Sequence, residues 1–183
     1  MYTRDILILK GIIMSREITR GAILIALSCA LQFSLRQVAL PGMTVLVGII
    51  MNAVLILTVL YSNRIAVFLN ALAAPIIAVA LNAVPSPLFI LSVLAANLAY
   101  VYTFQEWTRK YRTGDVKGLF FAYGVPTFAR VFIFLGAGVA LFHLFGILKG
   151  TALPALYGKA GIQIITGIVG GLVADVIHQK LSK

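Results

Sequence analysis

A chain of 183 residues that is 61% hydrophobic and 11% charged, with a mean hydropathy of +1.04, carries more apolar surface than a soluble domain of this size can bury. Its 15 Lys and Arg against 5 Asp and Glu give a net charge of +10, but no polar face is present to carry nucleic acid, so the basic residues read as orientation signals at membrane ends. The single cysteine, Cys29, excludes an internal disulfide and a thiolate cluster and reads as a small apolar filler.

In chain order, residues 1–17 form a short N-terminal cytoplasmic or interfacial segment with Arg4, Lys10 and Arg16, in which Met14 offers an alternative start. Residues 18–183 form the transmembrane domain. Its first helix is expected over residues 18–38, where fifteen uncharged residues lie between Arg20 and Arg36 and both arginines snorkel outward. The basic start and Ser28-Cys29-Ala30 resemble a cleaved signal peptide, but everything downstream is equally apolar, which argues against cleavage. After Pro41-Gly42 a second apolar run covers residues 43–61 and ends at Ser62-Asn63-Arg64.

The next forty-one residues, 65–105, hold no Asp, Glu, Lys or Arg. One helix of that length is twice what a hydrocarbon layer of ~30 Å needs, so the run is read as two crossings. Pro85 and Pro87 lack N–H groups and push the residue before each away from helical geometry, which places the turn at Pro85-Ser86-Pro87. Helix 4 leaves the membrane near Gln105 to Lys110, with Trp107 as interfacial anchor. Residues 111–117 are a polar connection, and helix 5 lies in residues 118–148, uncharged except for Arg130. An irregular loop is expected over residues 149–159, with Gly150 and Pro154, followed by helix 6 over residues 160–174 and their flanks. The expected fold is therefore an all-α integral membrane protein, six transmembrane helices in a compact bundle.

On alternate sides of such a bundle, eleven basic residues fall on the face with the termini and three (Arg36, Lys149, Lys159) on the other, with Arg130 left inside. The positive-inside rule then places both termini in the cytoplasm. Small residues recur at fixed spacing in three places: Ala22, Ala26 and Ala30; Ala66, Asn70, Ala74, Ala78 and Asn82; and Gly167 and Gly171. Such stripes let helix backbones approach closely, either within the bundle or against another membrane protein.

Catalytic chemistry has little to work with. Asp175 is the one carboxylate placed in a helix away from the polar segments, and His143 and His178 lie far from each other and from Cys29, so neither paired-carboxylate catalysis nor a metal site is indicated. No phosphate-cradling G-x-x-x-x-G-K-[ST] and no G-x-S-x-G is present, and no cofactor is implied. The informative residues are polar side chains among apolar ones. An arginine at mid-membrane costs about 2.5 to 3.5 kcal/mol even on lenient scales, and such residues face a bundle interior or cavity. Arg130 lies near the midplane of helix 5, Asn97 at similar depth in helix 4, and Gln163 in the outer third of helix 6, while His143 and Tyr157 approach from the outer ends. Together these five are candidates for an outward-opening substrate pocket. For Arg130 a structural role on carbonyls and amide side chains, or snorkelling, stands beside substrate contact; for His143 a structural interfacial role stands beside ligand contact.

The whole pattern resembles the substrate-capturing S components of energy-coupling-factor (ECF) vitamin transporters. The resemblance covers about residue 18 to the C-terminus and rests on six helices in this length, on Arg20-Gly21-Ala22-Ile23-Leu24-Ile25-Ala26 with its A-x-x-x-A, and on residues 45–57 with Gly48 and Asn52-Ala53-Val54-Leu55. It continues through Ala74-Pro75-Ile76-Ile77-Ala78 and Pro87 to Asn97. It implies a multi-pass protein of a prokaryotic plasma membrane that binds a vitamin or related micronutrient from outside and docks on a membrane coupling subunit carrying two ATPases. It implies also that Ala22 and Ala26 contact that subunit. An autonomous secondary transporter would show intramembrane acidic residues for ion coupling and often an internal repeat, and a small membrane enzyme would need catalytic groups; the sequence offers neither.

Overall fold

The computed structural model describes residues 2–36, 42–81, 87, 89–111, 116–146 and 152–181, and every regular element among them is helical. In order these are α1 (Tyr2–Arg36), α2 (Met43–Tyr61), α3 (Arg64–Ala80), α4 (Phe89–Tyr111), α5 (Val116–Leu119), a π-helical turn (Phe120–Gly124), α6 (Val125–Leu144) and α7 (Ala152–Leu181). Four stretches are long and apolar enough to cross a membrane: Met14–Leu35, Met43–Tyr61, Phe120–Leu144 and Leu153–Leu181. The apolar α3 is shorter, at 17 residues.

Local chemistry explains the boundaries. Gly42, at φ 81°, sits where a side chain would be strained, and α2 starts at the next residue. Asn63 caps α3 by accepting from the Ala66 N–H at 2.9 Å. At its far end α3 closes with the Leu81 N–H on the Ile77 carbonyl at 2.9 Å, and α4 opens at Phe89, two residues after Pro87. Pro85 and Ser86 of the expected turn lie outside the described residues. The N-terminal stretch from Tyr2 is continuous with α1, with no break at residue 18.

One expectation is corrected. Residues 152–159, read as part of an irregular loop, are the opening of α7, and Pro154 does not prevent this because it stands in the first turn, where an N–H has no intrahelical acceptor anyway. Pro126 acts differently. It lies inside the continuous rod from α5 to α6, where its ring crowds the carbonyl four residues back, and the turn immediately before α6 widens to π geometry.

At the centre of the bundle is α2, buried without interruption from Asn52 to Thr58. It packs on α1, α3 and α7, while α4 packs chiefly on α6. Glycines set the α2–α7 distance: a Cβ on Gly170 would stand 2.6 Å from the Asn52 Cβ and 2.7 Å from the Ile49 carbonyl oxygen, and one on Gly48 would meet Thr166 at 2.7 Å. Gly167 and Gly171 likewise seat Thr127 and Tyr123, so the G-x-x-x-G is internal packing. The α3 stripe is also internal, with Ala66, Asn70 and Ala78 buried, whereas Ala22, Ala26 and Ala30 are exposed on α1. Two apolar clusters result. One gathers Ile56, Ala71, Tyr100, Phe104 and Tyr123, the other Phe89, Phe134, Phe142 and Leu156, nearer the end where α2 and α4 begin. Tyr61 and His178, hydrogen bonded at 2.8 Å, join α2 to α7 at the opposite end.

Candidate functional site

A proline prepares the site. Pro75 sits inside α3 and has no N–H to give the Ala71 carbonyl one turn earlier, which leaves that oxygen open. The Asn97 side chain of α4 fills the gap, donating Nδ2–H to Ala71 O at 3.0 Å. This fixes the amide, because the end that meets a carbonyl must be the NH2. Asn97 Oδ1 therefore points the other way, where it accepts from Arg130 Nη2 at 2.8 Å. From α2, Asn52 Oδ1 accepts from Arg130 Nη1. The guanidinium of α6 is thus held between two helices by neutral acceptors, and it lies 5.3 Å from the centroid of the Tyr100 ring. Arg130 is 7% exposed, Asn52 and Asn97 3% each.

Under this layer Tyr100 donates to Gly167 O at 2.7 Å, Thr127 to Tyr123 O at 2.7 Å, and Asn70 Nδ2 to Thr58 Oγ1 at 2.7 Å. These bonds seal the floor. Above it a cavity of about 160 Å³ extends toward the end of the bundle where α2 and α4 begin. Arg130, Asn52, Asn97 and Asn70 form its deep part; Phe89, Phe134, Val93 and Pro75 supply apolar wall; Thr44, Ile90 and Lys159 stand toward the other end, with Lys159 Nζ 5.8 Å from the Phe89 ring centroid. Among the described residues no Asp or Glu lines it.

Charge and satisfaction in the cavity do not balance internally. Arg130 Nε–H has no hydrogen-bond partner despite its burial, and a guanidinium carries five N–H donors, of which the two asparagines use two. Gln32 of α1, 2% exposed, donates Nε2–H to Ala74 O at 2.9 Å, which leaves its Oε1 in the wall without a donor. Gln163 Oε1 of α7 is in the same state. Buried polar atoms are almost always paired, so three unpaired ones around one cavity point to a polar occupant.

Of the residues singled out from the sequence, Arg130, Asn97 and Gln163 meet at this cavity. His143 and Tyr157 do not line it: both are exposed, Tyr157 at 56%. Helical phase explains their position. On α7 the cavity stripe is Lys159, Ile162, Gln163 and Thr166, and Tyr157 sits on the Gly161 and Ile165 side; on α6 the inward stripe is Arg130, Phe134, Gly138 and Phe142, and His143 falls about 100° from it. Sequence reading did not single out Asn52, Gln32, Asn70 or Lys159 as pocket residues. A lone asparagine within the apolar α2 was the signal available for Asn52, since polar groups in such helices are costly and seldom idle. No protein-family model, curated protein or solved structure matches the chain.

Proposed function

We propose that the chain is the substrate-binding S component of an ECF-type importer in a prokaryotic plasma membrane, capturing a small, water-soluble, anionic vitamin or related micronutrient. The observation that carries this reading is the arginine fixed at the bottom of a cavity that no acidic residue lines among the described residues. A buried cation facing only neutral acceptors is costly, and an anionic occupant offsets that cost. In this reading α1, α2, α3, α4, the α5–α6 rod and α7 are six crossings, both termini are cytoplasmic, and the cavity faces outside. The chain performs no catalysis. Energy comes from two ATPases on a membrane coupling subunit, which docks on the exposed Ala22 and Ala26 of α1.

Purification under mild detergent, with mass spectrometry of the released small molecules and the attached proteins, tests this. The expected result is one small anion together with a coupling subunit and two ATPases, and an Ala26→Trp variant that keeps the small molecule but loses the proteins. Recovery of a cationic or neutral compound with no ATPase partner overturns the reading.

A further inference from the structure

The three unpaired atoms are of two kinds, and their chemistry specifies more than charge. At Arg130 the free groups are donors, so the part of an occupant resting there is an acceptor, and a carboxylate matches the guanidinium edge best. Gln32 Oε1 is an acceptor, so the part resting against it is a donor, whereas the Gln163 amide, whose NH2 is bonded to nothing among the described residues, can turn either end to an occupant. Gln32 cannot change its role by rotating its amide, because its NH2 is committed to the Ala74 carbonyl. The seated part is bounded in size as well: a cavity of ~150 Å³ takes a benzene-sized molecule, so about 160 Å³ holds roughly six to ten non-hydrogen atoms, with the cavity open at one end. Phe89 and Phe134, with ring centroids 6.1 Å apart, give the space between its polar ends an apolar boundary.

Resting on the proposed anion-binding role of Arg130, we infer that the substrate class is a monocarboxylate that also carries an N–H or O–H donor, with roughly six to ten non-hydrogen atoms seated in the cavity, its carboxylate on Arg130 and its donor on Gln32 Oε1. Carboxylates without a donor are discriminated against. The penalty is the buried Gln32 carbonyl left unpaired, which is the means by which polar sites reject apolar analogues.

The test is a thermal-stabilisation and calorimetric screen of the purified protein, freed of ligand, against matched pairs of monocarboxylates in this size range. Members of a pair differ only in a hydroxyl or amino group, as in benzoate against its hydroxy and amino derivatives, alongside pairs on five-membered rings and branched chains. The donor-bearing member of the best pair is expected to bind about tenfold tighter or more. Gln32→Leu, or Gln32→Met if the leucine variant is unstable, should lower that ratio toward one. A ratio measured within one variant is independent of how much of it folds. Equal binding within every pair, or no binding by any member, overturns the inference. Tight binding of plain carboxylates would leave the anion-binding reading standing, whereas failure of every carboxylate together with binding of a cation or neutral solute would remove both.

Discussion

At the scale of single residues, two asparagines and a proline place one arginine. Arg130 was legible as a costly group at depth, and Asn97 as its neighbour in depth, because position along an apolar helix reports depth directly. Which atoms hold it was not legible. The Asn97 amide is oriented by a carbonyl that Pro75 leaves open on a different helix, and no spacing in the sequence connects positions 75, 71 and 97. The neutrality of the cage is itself testable. Asn52→Asp is nearly isosteric and puts a carboxylate where Asn52 Oδ1 now accepts from Arg130. The variant should fold as well as the parent, since a buried pair replaces a charge–dipole contact, yet its affinity for an anionic substrate should fall by about a hundredfold or more, because the new carboxylate competes for the same N–H groups and repels the ligand. Calorimetry on the monodisperse variant, with melting in detergent as the folding control, reads both. Unchanged affinity would show that Arg130 serves structure and not substrate.

At the scale of elements, the three small-residue stripes look alike in the sequence and have different destinations. Period and residue size fix only that a helix can be approached closely, not by what. In the folded chain α7 uses its glycines against α2, α6 and the π turn, α3 turns its stripe inward, and α1 leaves Ala22, Ala26 and Ala30 bare. The start of α7 was missed for a related reason: Pro and Gly mark turns on average, but a proline in a first turn is compatible with helix, and position relative to the helix start decides. The α2–α7 contact gives a sharp expectation. In Gly170→Ala the new methyl meets the Ile49 carbonyl at 2.7 Å and the Asn52 Cβ at 2.6 Å, backbone and near-backbone atoms that cannot rotate away. The helices must separate, at a cost of about 1 to 3 kcal/mol, and Asn52 moves off Arg130 with them. Gly161→Ala on the same helix, where a Cβ meets nothing within 4 Å, should be neutral or slightly stabilising. Melting of both variants in one detergent checks this, and equal melting points would mean that the α2–α7 approach is looser than described.

For the whole molecule, the cavity and the exposed basic residues Lys117 and Lys180 occupy opposite ends of the bundle. Thr44, exposed at the start of α2, belongs to the cavity end, whereas Lys117 and Lys180, exposed near the start of the α5–α6 rod and the end of α7, belong to the other. In the proposed six-crossing arrangement eleven of the fifteen Lys and Arg would fall on the side of the termini, and a basic excess of this kind is retained on the cytoplasmic face. In the proposed reading the two facts together orient the site: a cavity opposite the basic end would open to the side from which a nutrient arrives, and the exposed alanines of α1 run along the flank, where a membrane partner would reach them without blocking the mouth. Single cysteines at these positions, in a chain with Cys29 replaced by Ala, convert the argument into a measurement. A membrane-impermeant maleimide should label Thr44→Cys in intact cells and should leave Lys117→Cys and Lys180→Cys unlabelled until the membrane is opened. Because Thr44 lines the cavity, its labelling should also slow when substrate is present, which ties the orientation to the site and not merely to the helix end. Labelling of Lys117→Cys from outside would invert the bundle, turn the cavity toward the cytoplasm, and leave the capture of an external nutrient without a route.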